Sequence, residues 1–162
     1  MKRELLVSLL SFTLVLAAVW FAAPATCAGE PVQVNITVPM TKGDVVPVRS
    51  KVGPLTFNEV EVHNAPNEED LQKAQSDKGD NCHPKLALGI SNSGTSLWRI
   101  KLSIKLESKD GQVFMSCDRT DDVKPGADDD HTNFCWLDSM KTIDWPKIAK
   151  IHIVGTVSEK TK

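Results

Sequence analysis

The stretch that decides the fold is Trp98–Leu106, which reads WRIKLSIKL. Every second residue is apolar, and the residues between them are polar or charged. Successive side chains of a β-strand point to opposite faces, whereas an amphipathic helix repeats its apolar residues three and four apart. The stretch therefore predicts a long strand whose even-numbered side chains are buried and whose odd-numbered side chains, continuing to Glu107, meet water.

Neighbouring stretches extend this strand into an antiparallel meander. Leu86–Ile90 alternates in the same way, and Asn92–Thr95 has the composition of a turn. Asp110-Gly111 favours a tight hairpin after the central strand, and Val113–Cys117 alternates behind it. We expect three consecutive strands joined by two hairpins.

The remaining apolar stretches predict further strands. Val32–Val38 and Ile151–Val157 alternate, and Pro47 within Asp44–Lys51 belongs on a sheet edge because it cannot donate a hydrogen bond. The alternation of Leu55–His63 changes parity near its middle, which indicates a bulge. The total of seven or eight strands is typical of an all-β, antiparallel two-sheet sandwich.

The central residues also resemble a family. Leu106, then Lys109-Asp110-Gly111, then Pro125-Gly126 follow the order of FxLYD-type modules of bacterial extracytoplasmic proteins, in which a strand ends in Phe-x-Leu-Tyr-Asp and runs into Lys-Asp-Gly. Three positions of the named motif differ, namely Ile104, Glu107 and Ser108. The resemblance implies an immunoglobulin-like β-sandwich with an extracytoplasmic address, and it implies no catalytic residue.

The N-terminus has the three parts of a secretory signal peptide. Lys2 and Arg3 precede an uncharged apolar stretch, Leu5–Ala23, and small residues follow it. We predict a signal peptide at residues 1–28 with cleavage after Ala25 or Ala28, which leaves one domain at 29–162 in the periplasm or outside the cell. Two alternatives stay open: the apolar stretch is retained as a membrane anchor, or Cys27 carries the lipid of a lipoprotein.

Composition narrows the class of partner. The chain has 162 residues, 19 basic and 21 acidic, a net charge of −2 and no tyrosine, which argues against a nucleic-acid surface. Residues 64–84 are polar, with Leu71 as the one large apolar residue, and predict a mobile loop. The alternative is a short helix at Glu68–Ala74 capped by Asn67.

Cysteines and acidic residues supply the candidate sites. Cys117 and Cys135 are equally far from Gly126, so a simple hairpin would join them in a disulfide, unless the two strands lie in different sheets. Cys82 is left over and could pair with Cys27 if that residue is retained. The acidic stretch 118–130 predicts a solvated loop or, alternatively, a Ca²⁺ site formed by Asp121, Asp122, Asp128, Asp129 and Asp130.

The function predicted from these residues is a non-catalytic binding or accessory module of the bacterial cell envelope, with no cofactor unless Ca²⁺ binds. Its partner would be an envelope protein or an extracellular ligand, met at the edge strand Asp44–Lys51 or at Trp145. Membrane contact would come only through Cys27 or the retained signal segment. A third hypothesis is an envelope enzyme or a copper protein, with candidate ligands Cys82, His83, His63, His131 and Met140.

Overall fold

The computed structural model describes residues 30–41, 45–77, 79–128, 130–136 and 139–160, and for residues 130–136 it describes the backbone alone. Most of these residues lie in strands. The elements, in chain order, are β1 (Val32–Pro39), β2 (Val45–Val52), β3 (Leu55–His63), α1 (Glu68–Ser76), β4 (Asn81–Cys82), β5 (Lys85–Asn92), β6 (Trp98–Glu107), β7 (Val113–Val123), β8 (Asp130–Trp136), β9 (Met140–Lys141), a 3₁₀-helix (Thr142–Lys147) and β10 (Lys150–Glu159).

Two four-stranded sheets carry the fold. The first has the order β1-β10-β6-β7 and the second the order β2-β3-β5-β8, while β4 and β9 pair separately. All the paired strands are antiparallel. The apolar side chains of both sheets belong to one core. The predicted all-β class with antiparallel sheets is therefore confirmed.

Strand β6 follows the predicted alternation. Ile100 and Leu106 are fully buried, Leu102 is 3% exposed, and the half-buried Trp98 packs against the same core. One predicted water-facing residue differs, because Glu107 is only 7% exposed. It lies on the outer side of the sheet, where basic side chains of β10 cover it.

The predicted three-stranded meander is half correct. Strands β6 and β7 form the expected hairpin. Strand β5, however, pairs with β3 and β8 in the second sheet, so the prediction of a hairpin between β5 and β6 was wrong. The chain crosses between the sheets after Asn92. The side-chain amide of Asn92 donates to the carbonyl oxygens of Ser96 and Val123, at 3.0 and 3.1 Å, and its Oδ1 accepts from the Gly94 N–H. These hydrogen bonds satisfy a buried amide and fix the crossing. Turn composition alone specifies a turn without specifying which sheet receives the next strand.

Two strand irregularities agree with the sequence. Pro47 lies in β2, which is an edge strand of the second sheet. The register of β3 against β5 shifts between Phe57 and Glu59, where the change of parity indicated a bulge. At each place the local sequence shows directly that the regular ladder is interrupted.

The predicted polar loop at 64–84 contains helix α1 and strand β4, so the loop prediction was wrong for these residues. The helix begins with a capping box: Asn67 Oδ1 accepts from the Asp70 N–H, and the Asp70 carboxylate accepts from the Asn67 N–H, both at 3.0 Å. Ala74 is 1% exposed. A nine-residue helix is marginal by itself, and tertiary contact at Ala74 supplies what the polar sequence lacks.

Gly155 gives the first test of the sheet. Its φ is +150°, and a Cβ there would overlap the Lys101 carbonyl oxygen of the neighbouring strand. We expect Gly155→Ala to destabilise the fold by about 3 kcal/mol through strain and overpacking. Gly126→Ala is the control, because Gly126 also has a positive φ but open space around it. Its expected cost is about 1 kcal/mol. Equal urea midpoints for the two variants would contradict the close approach of β10 and β6.

Candidate functional site

The connections that follow β3 and β8 meet at one end of the two sheets. Asn81 and Cys82 of β4 pair with Lys141 and Met140 of β9, and the Thr142 N–H donates to the Asp80 carbonyl oxygen at 3.0 Å. Helix α1 contacts the 3₁₀-helix. We call this layer, residues 64–77, 79–84 and 139–149, the end cap.

The inner side of the end cap is part of the folded unit. Met140, Thr142 and Ile148 are buried together with Ala74 of α1. Trp145 is half-buried and packs against the core. Its ring is therefore only partly available for the contact with a ligand that the sequence suggested at Trp145, and the inner side of the end cap packs on the core of the sheets.

The outer side of the end cap is mainly acidic. Leu71 and Trp145 are half-buried, so each keeps part of its apolar surface in water. Six acidic residues are described here, namely Glu68, Glu69, Asp70, Asp77, Asp80 and Asp144. Three basic residues are described here, namely Lys73, Lys141 and Lys147. The surface combines an excess of negative charge with two partly exposed apolar side chains.

Cys82 lies within the end cap as a free cysteine. Its Sγ is 3.7 Å from the Met140 carbonyl oxygen, toward which the thiol can donate. Burial raises the pKa of the Cys82 thiol above its usual value. The thiol is therefore protonated near neutral pH, which makes it a weak nucleophile and a weak metal ligand.

The structure brings Cys82 and Met140 together across β4 and β9, whereas the candidate copper ligands His63 and His131 lie apart on the second sheet. His63 Nε2 is 2.9 Å from Glu61 Oε2 at the end of β3. His131, known here from its backbone, pairs with Gly89, whereas His63 pairs with Lys85 four residues earlier on the same strand. That spacing corresponds to about 13 Å along the strand. The described residues contain no group of three or more histidine, cysteine, aspartate or glutamate side chains placed to hold a metal ion.

Three of the five predicted calcium ligands lie in strands instead of a loop, two of them in β7 and Asp130 at the start of β8. Asp121 and Asp122 belong to β7, which continues to Val123. Asp121 accepts from Arg119 at 2.5 Å. Asp122 accepts hydrogen bonds from Arg99 and from Lys160, each at 2.8 Å. These two hydrogen bonds, the one from Arg99 more than the one from Lys160, lower the pKa of Asp122 to about 2. Both carboxylates therefore form ion pairs with basic side chains.

Asp128 follows β7 in the turn that leads to β8, and Asp130 is the first residue of β8. Asp128 is exposed there. Asp129 lies outside the described residues, and the structure gives only the backbone of Asp130. A Ca²⁺ site in this turn stays a prediction.

Cys117 is buried on the inner face of β7 and is not free. The side chain of its predicted partner, Cys135, lies outside the described residues, so the disulfide stays a prediction. The reasoning from a simple hairpin was wrong, because β7 and β8 belong to different sheets. A bridge between these two residues would join the two sheets instead of closing one hairpin.

Sequence reasoning missed a polar cluster around the buried Glu107 on the outer face of the first sheet. Glu107 Oε1 is 3.0 Å from His152 Nδ1, and Glu107 Oε2 is 3.3 Å from Lys150 Nζ. His152 Nε2 is 3.0 Å from Asn35 Oδ1, so the cluster spans β6, β10 and β1. The hydrogen bond from His152, with a smaller contribution from Lys150, lowers the pKa of Glu107. Strand pairing brings these residues together from distant parts of the sequence, and no local pattern marks them.

No protein-family model matches the chain, and no curated protein matches it. Among the described residues, no helix is both long enough and apolar enough to cross a membrane.

Glu107 makes stability depend on pH. A carboxyl group whose pKa is lower in the folded state stabilises the fold above its unfolded pKa and loses that contribution as pH falls through the folded value. We expect Glu107→Gln to be about 1.5 kcal/mol less stable than wild type at neutral pH. The difference should shrink below the ordinary glutamate value of 4.5. Urea unfolding from neutral pH to about pH 3 measures it.

The matched control is Glu68→Gln, which removes an exposed carboxylate of the end cap. We expect this variant to stay within about 0.5 kcal/mol of wild type at each pH. If Glu107→Gln and wild type differed by the same free energy of unfolding at every pH, the ionised carboxylate of Glu107 would not be the cause of that difference.

Proposed function

We propose that the chain is an exported, non-catalytic binding or accessory module of the bacterial cell envelope, with the end cap as its recognition surface. The observation that carries this proposal is the meeting of two long connections, which pair through β4 and β9 and pack α1 on the 3₁₀-helix. Long connections ordered on a rigid scaffold are a common location of binding residues. Joining one strand of the two main sheets to the next would require neither helix α1 nor the small sheet of β4 and β9.

The chemistry of the end cap favours a basic, partly apolar segment of an envelope protein. The excess of acidic residues would attract basic groups, and the exposed parts of Leu71 and Trp145 would give apolar contact. The edge strand β2 is less suitable as the contact. Its register shifts between Pro47 and Ser50, and proline and bulges oppose the addition of a strand.

We also propose that the two sheets form an immunoglobulin-like β-sandwich. The proposal is supported by four antiparallel strands in each sheet over one core, together with the FxLYD-like order of Leu106, Lys109-Asp110-Gly111 and Pro125-Gly126. Modules of this kind present loops and strand edges for binding.

Pairing of the charged groups supports a role without catalysis. Glu61 with His63, Glu107 with His152 and Asp122 with Arg99 are bonded within or between strands. A general acid or base needs a free position facing a substrate, whereas these groups stabilise the outer faces of the sheets.

Export is tested by the mass of the chain isolated from its native host. We expect a mature N-terminus at Thr26 or Gly29, following cleavage after Ala25 or Ala28. An N-terminal acylated Cys27 would identify the lipoprotein alternative. An isolated chain that still contains residues 1–25 would contradict signal cleavage.

Recognition by the end cap is tested with a photo-crosslinking amino acid placed at Gln72, an exposed position of α1. We expect crosslinks to an envelope partner from this position. The control position is Thr120, which is exposed on the outer face of β7. The double variant Glu68→Gln, Glu69→Gln should reduce the crosslink yield, with a greater reduction at low salt, because attraction between exposed charges is screened by ions.

The matched charge control is Asp128→Asn, which removes an exposed carboxylate from the turn between β7 and β8. It should leave the yield at Gln72 unchanged. Equal crosslinking from Gln72 and Thr120, or equal loss in the two charge variants, would argue against a specific site on the end cap.

A further inference from the structure

Strand β1 forms one edge of the first sheet, and the direction of its backbone groups is fixed by one hydrogen bond. The Met40 N–H donates to the Ala149 carbonyl oxygen at 2.8 Å, continuing the register in which Pro39 pairs with Lys150. Backbone groups of successive strand residues point to opposite sides. The even-numbered residues of β1 therefore face β10, and the odd-numbered residues direct their N–H and C=O groups away from the sheet.

Three residues thus present open backbone groups at this edge, namely Gln33, Asn35 and Thr37. Pro39 belongs to the same series and has no N–H to leave unpaired. In the described residues no further strand pairs with β1 on this side. The edge offers a row of donors and acceptors that a partner strand can use.

Within Gln33–Thr37, the edge of β1 lacks the features that discourage strand addition at other edges, since Pro39 lies at its end. Its eight residues pair with β10 without a register shift, and none of them is charged. By contrast, β2 has Pro47 and a register shift, and β7 carries several charged side chains, among them Asp118, Arg119 and Asp122. An uncharged, regular edge rich in β-branched residues is suited to pairing with another strand.

We propose that two copies of this chain associate by antiparallel pairing of their β1 strands about a two-fold axis at Asn35. The three residues with open backbone groups are symmetric about Asn35, so Asn35 would lie opposite its own copy and Gln33 opposite Thr37 of the second copy. About six hydrogen bonds would form. The two four-stranded first sheets would become one continuous sheet.

The side chains fit this register on both faces. On the inner face, Val34 would lie opposite Ile36 of the second copy, and Val32 opposite Val38. Val32 is 42% exposed in the single chain, and this contact would cover it. On the outer face the opposed residues are uncharged amides and hydroxyls, so no like charges meet. The inference concerns self-association and goes beyond the proposed recognition of an envelope partner.

Charge variants test both the association and its register. In Gln33→Lys, Thr37→Lys, two lysine pairs would face each other, and we expect dimer dissociation to become about tenfold easier. In Gln33→Lys, Thr37→Glu, each lysine would face a glutamate, and dimerisation should be at least as tight as in wild type. Sedimentation equilibrium of the full chain as purified, at graded concentrations, measures the dissociation constant of each.

A cysteine scan gives a second readout. Asn35→Cys should form a disulfide between two copies, because an antiparallel pair on the two-fold axis has its Cα atoms about 5.5 Å apart. Gln33→Cys should not, since two copies of that residue would be about 13 Å apart. A chain that stays monomeric at every concentration, or a dimer insensitive to both charge variants, would overturn the proposal. The proposal would also be overturned if the chain were monomeric and its β1 variants lost binding to a different protein, because that protein would then be the partner of the β1 edge.

Discussion

Burial of the inner face of β6 is the constraint on which the rest of the fold depends. Ile100, Leu102 and Leu106 are withdrawn from water into the core shared by both sheets. Because side chains alternate along a strand, burying one row fixes the other row on the outside. The register between β6 and β10 then decides which outer groups meet, and it brings Glu107 beside Lys150. The polar cluster is in this sense a consequence of the apolar core.

Periodicity in the sequence predicted which face of β1 and of β6 is buried, and it could not predict which sheet a strand joins. β5 and β6 both carry large apolar residues at every second position and are joined by a short turn, yet they lie in different sheets. The difference depends on Asn92, whose buried amide holds the crossing through the Ser96 and Val123 carbonyl oxygens. A buried amide of this kind looks like an ordinary turn residue until its partners are known. The bulge in β3 and the edge position of Pro47 were predictable because each follows from a local break in the pattern.

The candidate sites were predicted less well because they depend on contacts between distant residues. The acidic residues at 121 and 122 suggested a cation site, but Arg99 and Lys160, far away in sequence, already occupy Asp122. The end cap was hidden for a similar reason. Helix α1 has a polar sequence, and a short polar helix becomes stable only when tertiary contact supports it. Its one readable signal was the capping box of Asn67 and Asp70.

The end cap and the β1 edge lie in different directions on the molecule, so the two proposed interactions are compatible. The 3₁₀-helix ends just before β10 begins at Lys150, which pairs with Pro39, so the end cap lies at the Pro39 end of β1. Antiparallel pairing about Asn35 would place the Pro39 ends of two copies at opposite ends of the joined sheet. The two end caps would then face away from each other. Such a dimer could hold two copies of an envelope partner at once, and avidity would strengthen weak individual contacts only where both partners lie within reach.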